Sequence, residues 1–256
     1  MSPWPGGRVL AVVNVVRHPS AEPSADKAAI QFFRTQWETY RRIIEHNYLY
    51  HREAYAILHR VLMEEVARPF RFVDLACGDA SASLAALRGT KVTHYHGVDL
   101  AEPALKMAQK NLEAVDWKVK LEHADFVEAI RKRKEPADVV WIGLSLHHLS
   151  TEDKISVLRG IRAGLSRSGL LLTYDPVIPD GETLTAYHIR EVTTVKDEWT
   201  SLTPEERDAA AEHIQTQDRP ETIAGTMVLA HAAGFAQMRE LFVSPNNLWR
   251  MYCFAA

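Results

Sequence analysis

Five places along the chain put acid, histidine or tyrosine side chains where a ligand would find them. The stretch "FVDLACGDASAS" reads as a buried strand entering a tight turn and a helix, with Asp74 just before the turn and Gly78 within it. Strand-like segments that follow end at Asp99, Asp125, His147 with His148, and Tyr174 with Asp175. A pyrophosphate-binding turn would want glycines at 76, 78 and 81, and the residues are Ala76, Gly78 and Ser81. Asp74 would also oppose a pyrophosphate. The ligand expected at this turn is cationic or zwitterionic, with close backbone approach at Gly78.

The elements that must hold these residues alternate. After Pro69 the strand candidates "RFVDLA", "VTHYHGVDL", "VKLEHADF", "ADVVWIGLSL" and "GLLLTYDPV" are separated by segments of helical character. That order predicts an α/β fold with a mostly parallel sheet. In such a sheet ligands lie outside the carboxyl ends of the strands, where strand order reverses. Pro103 near the start of "LAEPALKMAQKNLEAV" and Ser150 to Asp153 in "STEDKISVLRGIRAGL" are helix-start signals, and the second helix is expected to end near Gly164. Upstream, 26–67 lacks internal Pro and Gly and spaces Tyr40, Ile44, Tyr48, His51 and Tyr55 along one helical face, which predicts one or two long helices. Residues 1–25, ending in a Pro/Ser stretch, are expected to be a loosely ordered extension. Their apolar run, Val9 to Val16, is too short to span a bilayer.

The bulk numbers narrow the function. With 256 residues, 46% hydrophobic, the chain is long enough for a real core. A net charge of −3 supplies no overall basic field for nucleic acid or anionic membrane, and the basic run Arg131 to Lys134 reads as a solvated helix end. Two distant cysteines, Cys77 and Cys253, form neither a metal-ligand pair nor a disulfide framework, so no metal and a reducing, cytoplasmic setting are expected. Between Asp180 and Glu221 eleven acids face four Lys or Arg. This insertion, longer than a crossover needs, is expected to hold helices near Glu182 to Trp199 and Pro204 to Ile214 and to favour a cationic or amine-bearing partner.

"VDLACGDA", then Asp99 in "HGVDL", Asp125 in "EHADF" and "VVWIGLSLHHL" together resemble a class I S-adenosylmethionine-dependent methyltransferase of small-molecule type. The resemblance covers roughly Phe70 to Pro176. The family's turn is acid-x-Gly-x-Gly-x-Gly; Asp74 and Gly78 match it, while Ala76 and Ala80 replace the outer glycines. It implies a doubly wound, seven-stranded Rossmann-like sheet at 69–256, an N-terminal helical cover at 26–68 and a substrate-lid insertion at 177–217. The cofactor implied is S-adenosyl-L-methionine, with S-adenosyl-L-homocysteine as product, and the acceptor is a small molecule methylated on N or O.

Under this resemblance Asp74 accepts from the methionyl ammonium, the backbone of Ala76, Cys77 and Gly78 lines the cofactor, and Asp99, beside Leu100, holds the ribose hydroxyls. Asp125 takes the adenine amine, with Phe126 beside the ring. Each aspartate alone is equally a strand-end or helix-capping residue; three in this order favour the ligand reading. His147 is the first candidate for a general base, with His51 and Tyr48 as further catalytic candidates and His148, Tyr174 and Tyr55 lining the acceptor site. An aromatic helix face suits a sulfonium cation, and Arg52 suits the methionyl carboxylate, although such a stripe is more often core. A tRNA or rRNA methyltransferase is disfavoured by the acidic insertion and by the lack of an Asn-Pro-Pro-aromatic motif; a non-catalytic cofactor-binding regulator stays open.

Overall fold

The chain is described by a computed structural model over residues 38–255. The expected N-terminal extension, 1–25, and the start of the helical cover lie outside the described residues. Helix α1, residues 38–45, stops where Asn47 takes a left-handed conformation. There Tyr48 N donates to Ile43 O and Asn47 N to Ile44 O, a Schellman-type end that a short polar side chain tolerates. The described helical run is therefore two helices, α1 and α2 (His51–Glu64).

The strands then follow the predicted alternation: β1 (Phe70–Leu75), α3 (Ser81–Leu87), β2 (Val92–Asp99), α4 (Glu102–Asn111), β3 (Lys118–His123), α5 (Phe126–Lys132), β4 (Ala137–Gly143), α6 (Thr151–Gly164) and β5 (Leu165–Ile178). Ser150 caps α6 by accepting from Asp153 N at 3.1 Å, and α6 ends at Gly164 as the sequence predicts. After α7 (Leu184–Glu198) and α8 (Pro204–Gln217) come the two-residue β6 (Glu221–Thr222), α9 (Ile223–Ala232), β7 (Gln237–Val243) and β8 (Trp249–Ala255). The insertion thus holds the two expected helices.

Among the described residues the sheet runs β3-β2-β1-β4-β5-β8-β7, the seven strands expected, and the two-residue β6 pairs with β5 off this path as an eighth. Strands β1 to β5 pair in parallel and β8 enters antiparallel beside β5. Strand order reverses between β1 and β4, and in open parallel sheets ligands lie outside the carboxyl ends of the strands at such a reversal. Burial on both faces explains why β1 and β4 read as nearly continuous apolar runs. One face packs Val73, Val140 and Leu171 against Val157 and Ile161 of α6 and Phe235 ahead of β7.

Two compact units emerge. The larger holds Arg52–Asp180 and Arg219–Ala256, hence the whole sheet. The smaller joins the described residues 38–51 to Gly181–Asp218. Within the smaller unit Thr203 and Glu206 form a capping box on α8, and Thr39 donates to Glu206 Oε1 at 2.8 Å while Arg42 pairs with the same carboxylate. Within the larger, Lys154 of α6, only 2% exposed, pairs with Glu221 at 2.8 Å and fixes β6. No helix among the described residues is long and apolar enough to cross a membrane.

Candidate active site

The turn after β1 keeps the glycine-type backbone without the glycines. Ala76, Gly78 and Ala80 all adopt positive φ, at 57°, 55° and 56°. A left-handed conformation costs an L-residue about 1–2 kcal/mol, so two alanines carry strain that glycines would not. Part of the return is visible at Ala80, whose methyl is buried beside the first turn of α3. A Cβ placed on Gly78 would meet no atom within 4 Å, so the loop is open on that side. Ala80→Gly should raise the unfolding free energy by about 0.5–1 kcal/mol, because relief of strain exceeds the entropy a glycine adds to the unfolded chain. Urea titration reads this; a loss of stability would show that the buried methyl outweighs the strain.

The three predicted aspartates take different places. Asp74 is 1% exposed, beneath the turn, where Oδ2 accepts from Tyr95 Oη at 2.7 Å and Ser83 supplies a second hydrogen bond. Burial pushes its carboxyl up to about 7; Ser83 and Tyr95 pull against this, and the nearby Asp99 charge adds to it. Asp99, 2% exposed, accepts from Gly78 N at 2.8 Å and Ala101 N at 2.7 Å, tying the turn to the end of β2. Burial raises its carboxyl too, opposed by these amide donors. Asp125 caps α5, with Oδ1 accepting from Val127 N at 2.8 Å, and Phe126 packs against the core.

Around these, Cys77 is half-buried, its thiol pushed up by burial, and its backbone N donates to Val98 O. Leu100 O accepts from His123 Nε2 at 2.9 Å. The turn, Asp99 and Leu100 thus form one connected strip across the carboxyl ends of β1 and β2. Arg52 is exposed at the start of α2, in the larger unit. Tyr55, one turn further on, accepts from Trp141 Nε1 at 3.2 Å and meets that ring edge-on at 5.3 Å. Trp141 in β4 is the register partner of Asp74 in β1, so Tyr55 covers the sheet where strand order reverses.

At the end of β4, Leu144 also takes positive φ, 52°, and its N donates to Tyr174 O at 2.7 Å. Bulky residues rarely sit there, and such backbone outliers gather at functional sites. A single 3-10 turn, Leu146–His148, follows. His147 is 4% exposed and its Nδ1 lies 2.8 Å from Asp175 Oδ1 on β5. His148 lies against it, with ring centroids 3.9 Å apart and the ring planes tilted by 51°. Tyr174 is fully buried, 6.1 Å from the Phe242 ring.

The two remaining candidates belong to the smaller unit. Tyr48 stacks on Trp199 at 5.5 Å, and its hydroxyl accepts from Ser201 N at 2.8 Å. His51 is buried, with Nε2 3.4 Å from Tyr40 Oη.

Tyr95 and Ser83 carry no signal in the sequence pattern, and Asp175 stands there only as a strand-end acid beside Tyr174. Register alone reveals the first: Tyr95 pairs with Phe72, two residues before Asp74. For Asp175 the signal was present, an acid on β5 beside a histidine-bearing turn after β4.

Residues 72–169 match the family model described as a methyltransferase domain. No curated protein sequence matches significantly. Among solved structures, an O-methyltransferase family protein from Burkholderia thailandensis is similar over 91% of this chain and 60% of its own, with a TM-score of 0.61 and 16% identity. The plantazolicin methyltransferase BpumL, in complex with S-adenosylhomocysteine, shares 86% and 90% coverage, a TM-score of 0.61 and 12% identity. The magnesium protoporphyrin IX methyltransferase of Synechocystis PCC 6803, also with S-adenosylhomocysteine, gives 80% and 82%, 0.54 and 15%. Two further similar structures are longer proteins, of which this chain spans 56% and 53%. Segment 72–169 is thus similar to a methyltransferase domain, and the sheet that carries it has the fold of these methyltransferase structures.

Proposed function

We propose that the protein transfers a methyl group from S-adenosylmethionine to a hydroxyl of a small-molecule acceptor. The observation that carries the choice of oxygen is the buried His147–Asp175 pair at 2.8 Å, since a carboxylate on Nδ1 leaves Nε2 as the basic nitrogen. An amine would need no such base; an alcohol or phenol does. The acidity of the insertion between Asp180 and Glu221 supports an acceptor that also carries an amine or another cation.

The cofactor side fits the chain's residues. Asp99 accepts from the backbone amides of Gly78 and Ala101, with Leu100 a further backbone donor, and a carboxylate offers about four such positions, so capacity remains for a ribose hydroxyl. Gly78 leaves open space on the loop, and Asp125 keeps Oδ2 beyond the oxygen that caps α5. When bound, the cofactor supplies a methyl on a sulfonium centre, already activated for in-line displacement. His147 then takes the acceptor's proton as the oxygen attacks, and Asp175 holds the imidazolium. Orientation and exclusion of water supply the rest of the acceleration.

Two measurements test the reading. Calorimetry should give binding of S-adenosylmethionine and none of NADPH. Incubation of labelled cofactor with a metabolite extract should then give a labelled methyl ether. Labelled N-methyl product would replace the hydroxyl reading; binding without transfer to any acceptor would favour a non-catalytic cofactor-binding role. A cytoplasmic location is part of the proposal, on the ground of two free cysteines.

A further inference from the structure

Asp74 is a buried carboxyl with hydroxyl partners and no cationic one. Its neighbours are Tyr95 and Asp99 from β2, Cys77 in the turn and Ser83 from α3, with Trp141 of β4 as register partner and Tyr55 of α2 beyond Tyr95. Among the described residues no Lys, Arg or His bonds to it. A carboxylate taken out of water without a counter-charge costs several kcal/mol, and such groups usually neutralise instead.

Tyr95 is held rigidly for its task. It is 1% exposed and stacks on Phe72 at 6.2 Å. Its approach depends on Gly97, where an added Cβ would come 2.9 Å from both Tyr95 Cε1 and Cys77 Sγ. The glycine of "HGVDL" is therefore needed to let the tyrosine and the turn lie close over β2.

We propose that before the cofactor binds Asp74 is held as a neutral acid, that the Tyr95 hydroxyl sets how readily it ionises, and that arrival of the cofactor's ammonium drives its proton into solvent. The proposal rests on the cofactor reading above and makes Tyr95 a positioning residue for cofactor binding. In the neutral state the Asp74 hydroxyl donates to Ser83 Oγ while Tyr95 donates to Oδ2; on ionisation both hydroxyls donate to the carboxylate. A group ordinarily ionised by pH 5 then titrates near neutrality, in agreement with burial lifting Asp74 to about 7.

The test is calorimetry of the full chain with S-adenosylmethionine from pH 6 to pH 8, in buffers of different ionisation enthalpy, so that protons are counted. Because the ligand's own amine titrates in the same range, the informative quantity is the difference between wild type and Asp74→Asn. At pH 6 wild type should release close to one proton more than Asp74→Asn does, and between pH 6 and pH 8 its affinity should rise roughly tenfold more. Tyr95→Phe removes a donor to the ionised form and should move that rise up by about one pH unit; an unmoved rise would overturn the part given to Tyr95. If Tyr95→Phe fails to fold, Asp74→Asn still decides, since proton release identical to wild type overturns the inference. No binding at any pH would instead overturn the cofactor reading, and this inference with it.

Discussion

Asp99→Asn should lower affinity for S-adenosylmethionine about a hundredfold and should leave the protein folded. On the cofactor reading, the carboxylate also accepts from the ribose, a charge-assisted bond contributing about 1.5–3 kcal/mol. The amide keeps one oxygen, so it can still take Gly78 N or Ala101 N, but its NH2 faces the other donor and cannot accept from a hydroxyl. A net loss of about 3 kcal/mol is a factor of about a hundred. Asp99→Ala looks from the sequence like a clean binding mutant. The structure changes that expectation: it would also orphan two buried amides at about 1–3 kcal/mol each and loosen the turn. Calorimetry for binding and urea for folding separate the two effects, and an unchanged affinity in Asp99→Asn would remove the residue from the ribose site.

What the sequence displayed and what it hid divide along a physical line. Strands β1, β4 and β5 were legible because burial on both faces writes itself as apolar runs, while the edge strand β3, with no buried residue, shows only an alternation of charged and apolar residues. Asp74, Asp99 and Asp125 stood out as acids at or just beyond the carboxyl ends of β1, β2 and β3. Their roles did not follow from position. Asp74 lies under the turn with Tyr95 and Ser83, partners set by strand register and helix docking that no local pattern encodes. Ala76 and Ala80 showed that a left-handed path can persist without glycine, since neighbouring bonds such as Gly78 N to Asp99 hold it. The eighth strand, two residues long, is too short to leave a periodic signal. The break between α1 and α2 rests on one asparagine, which reads as an ordinary polar residue until its φ is known.

The pair at the end of β4 carries the larger kinetic consequence. His147→Gln should lower kcat by about a hundredfold to ten-thousandfold toward a hydroxyl acceptor, the range over which a positioned general base acts. Affinity for S-adenosylmethionine should stay within a fewfold of wild type, because the proposed cofactor side is Asp74, the turn and Asp99. Gln is preferred to Ala here. It retains a donor for Asp175, which is 8% exposed and would otherwise be left as a buried charge without its partner. Asp175→Asn keeps the shape but gives Nδ1 a partner that can donate as well as accept, so the proton-bearing nitrogen is no longer fixed; its loss should be large but smaller. The double variant should be no slower than His147→Gln alone, since Asp175 acts only through the imidazole. Single-turnover transfer into the labelled product measures all three. Full activity in His147→Gln toward that product would mean that the acceptor needs no base. The Leu144 strain and the buried dyad would then belong to the architecture of the β4 turn rather than to the reaction.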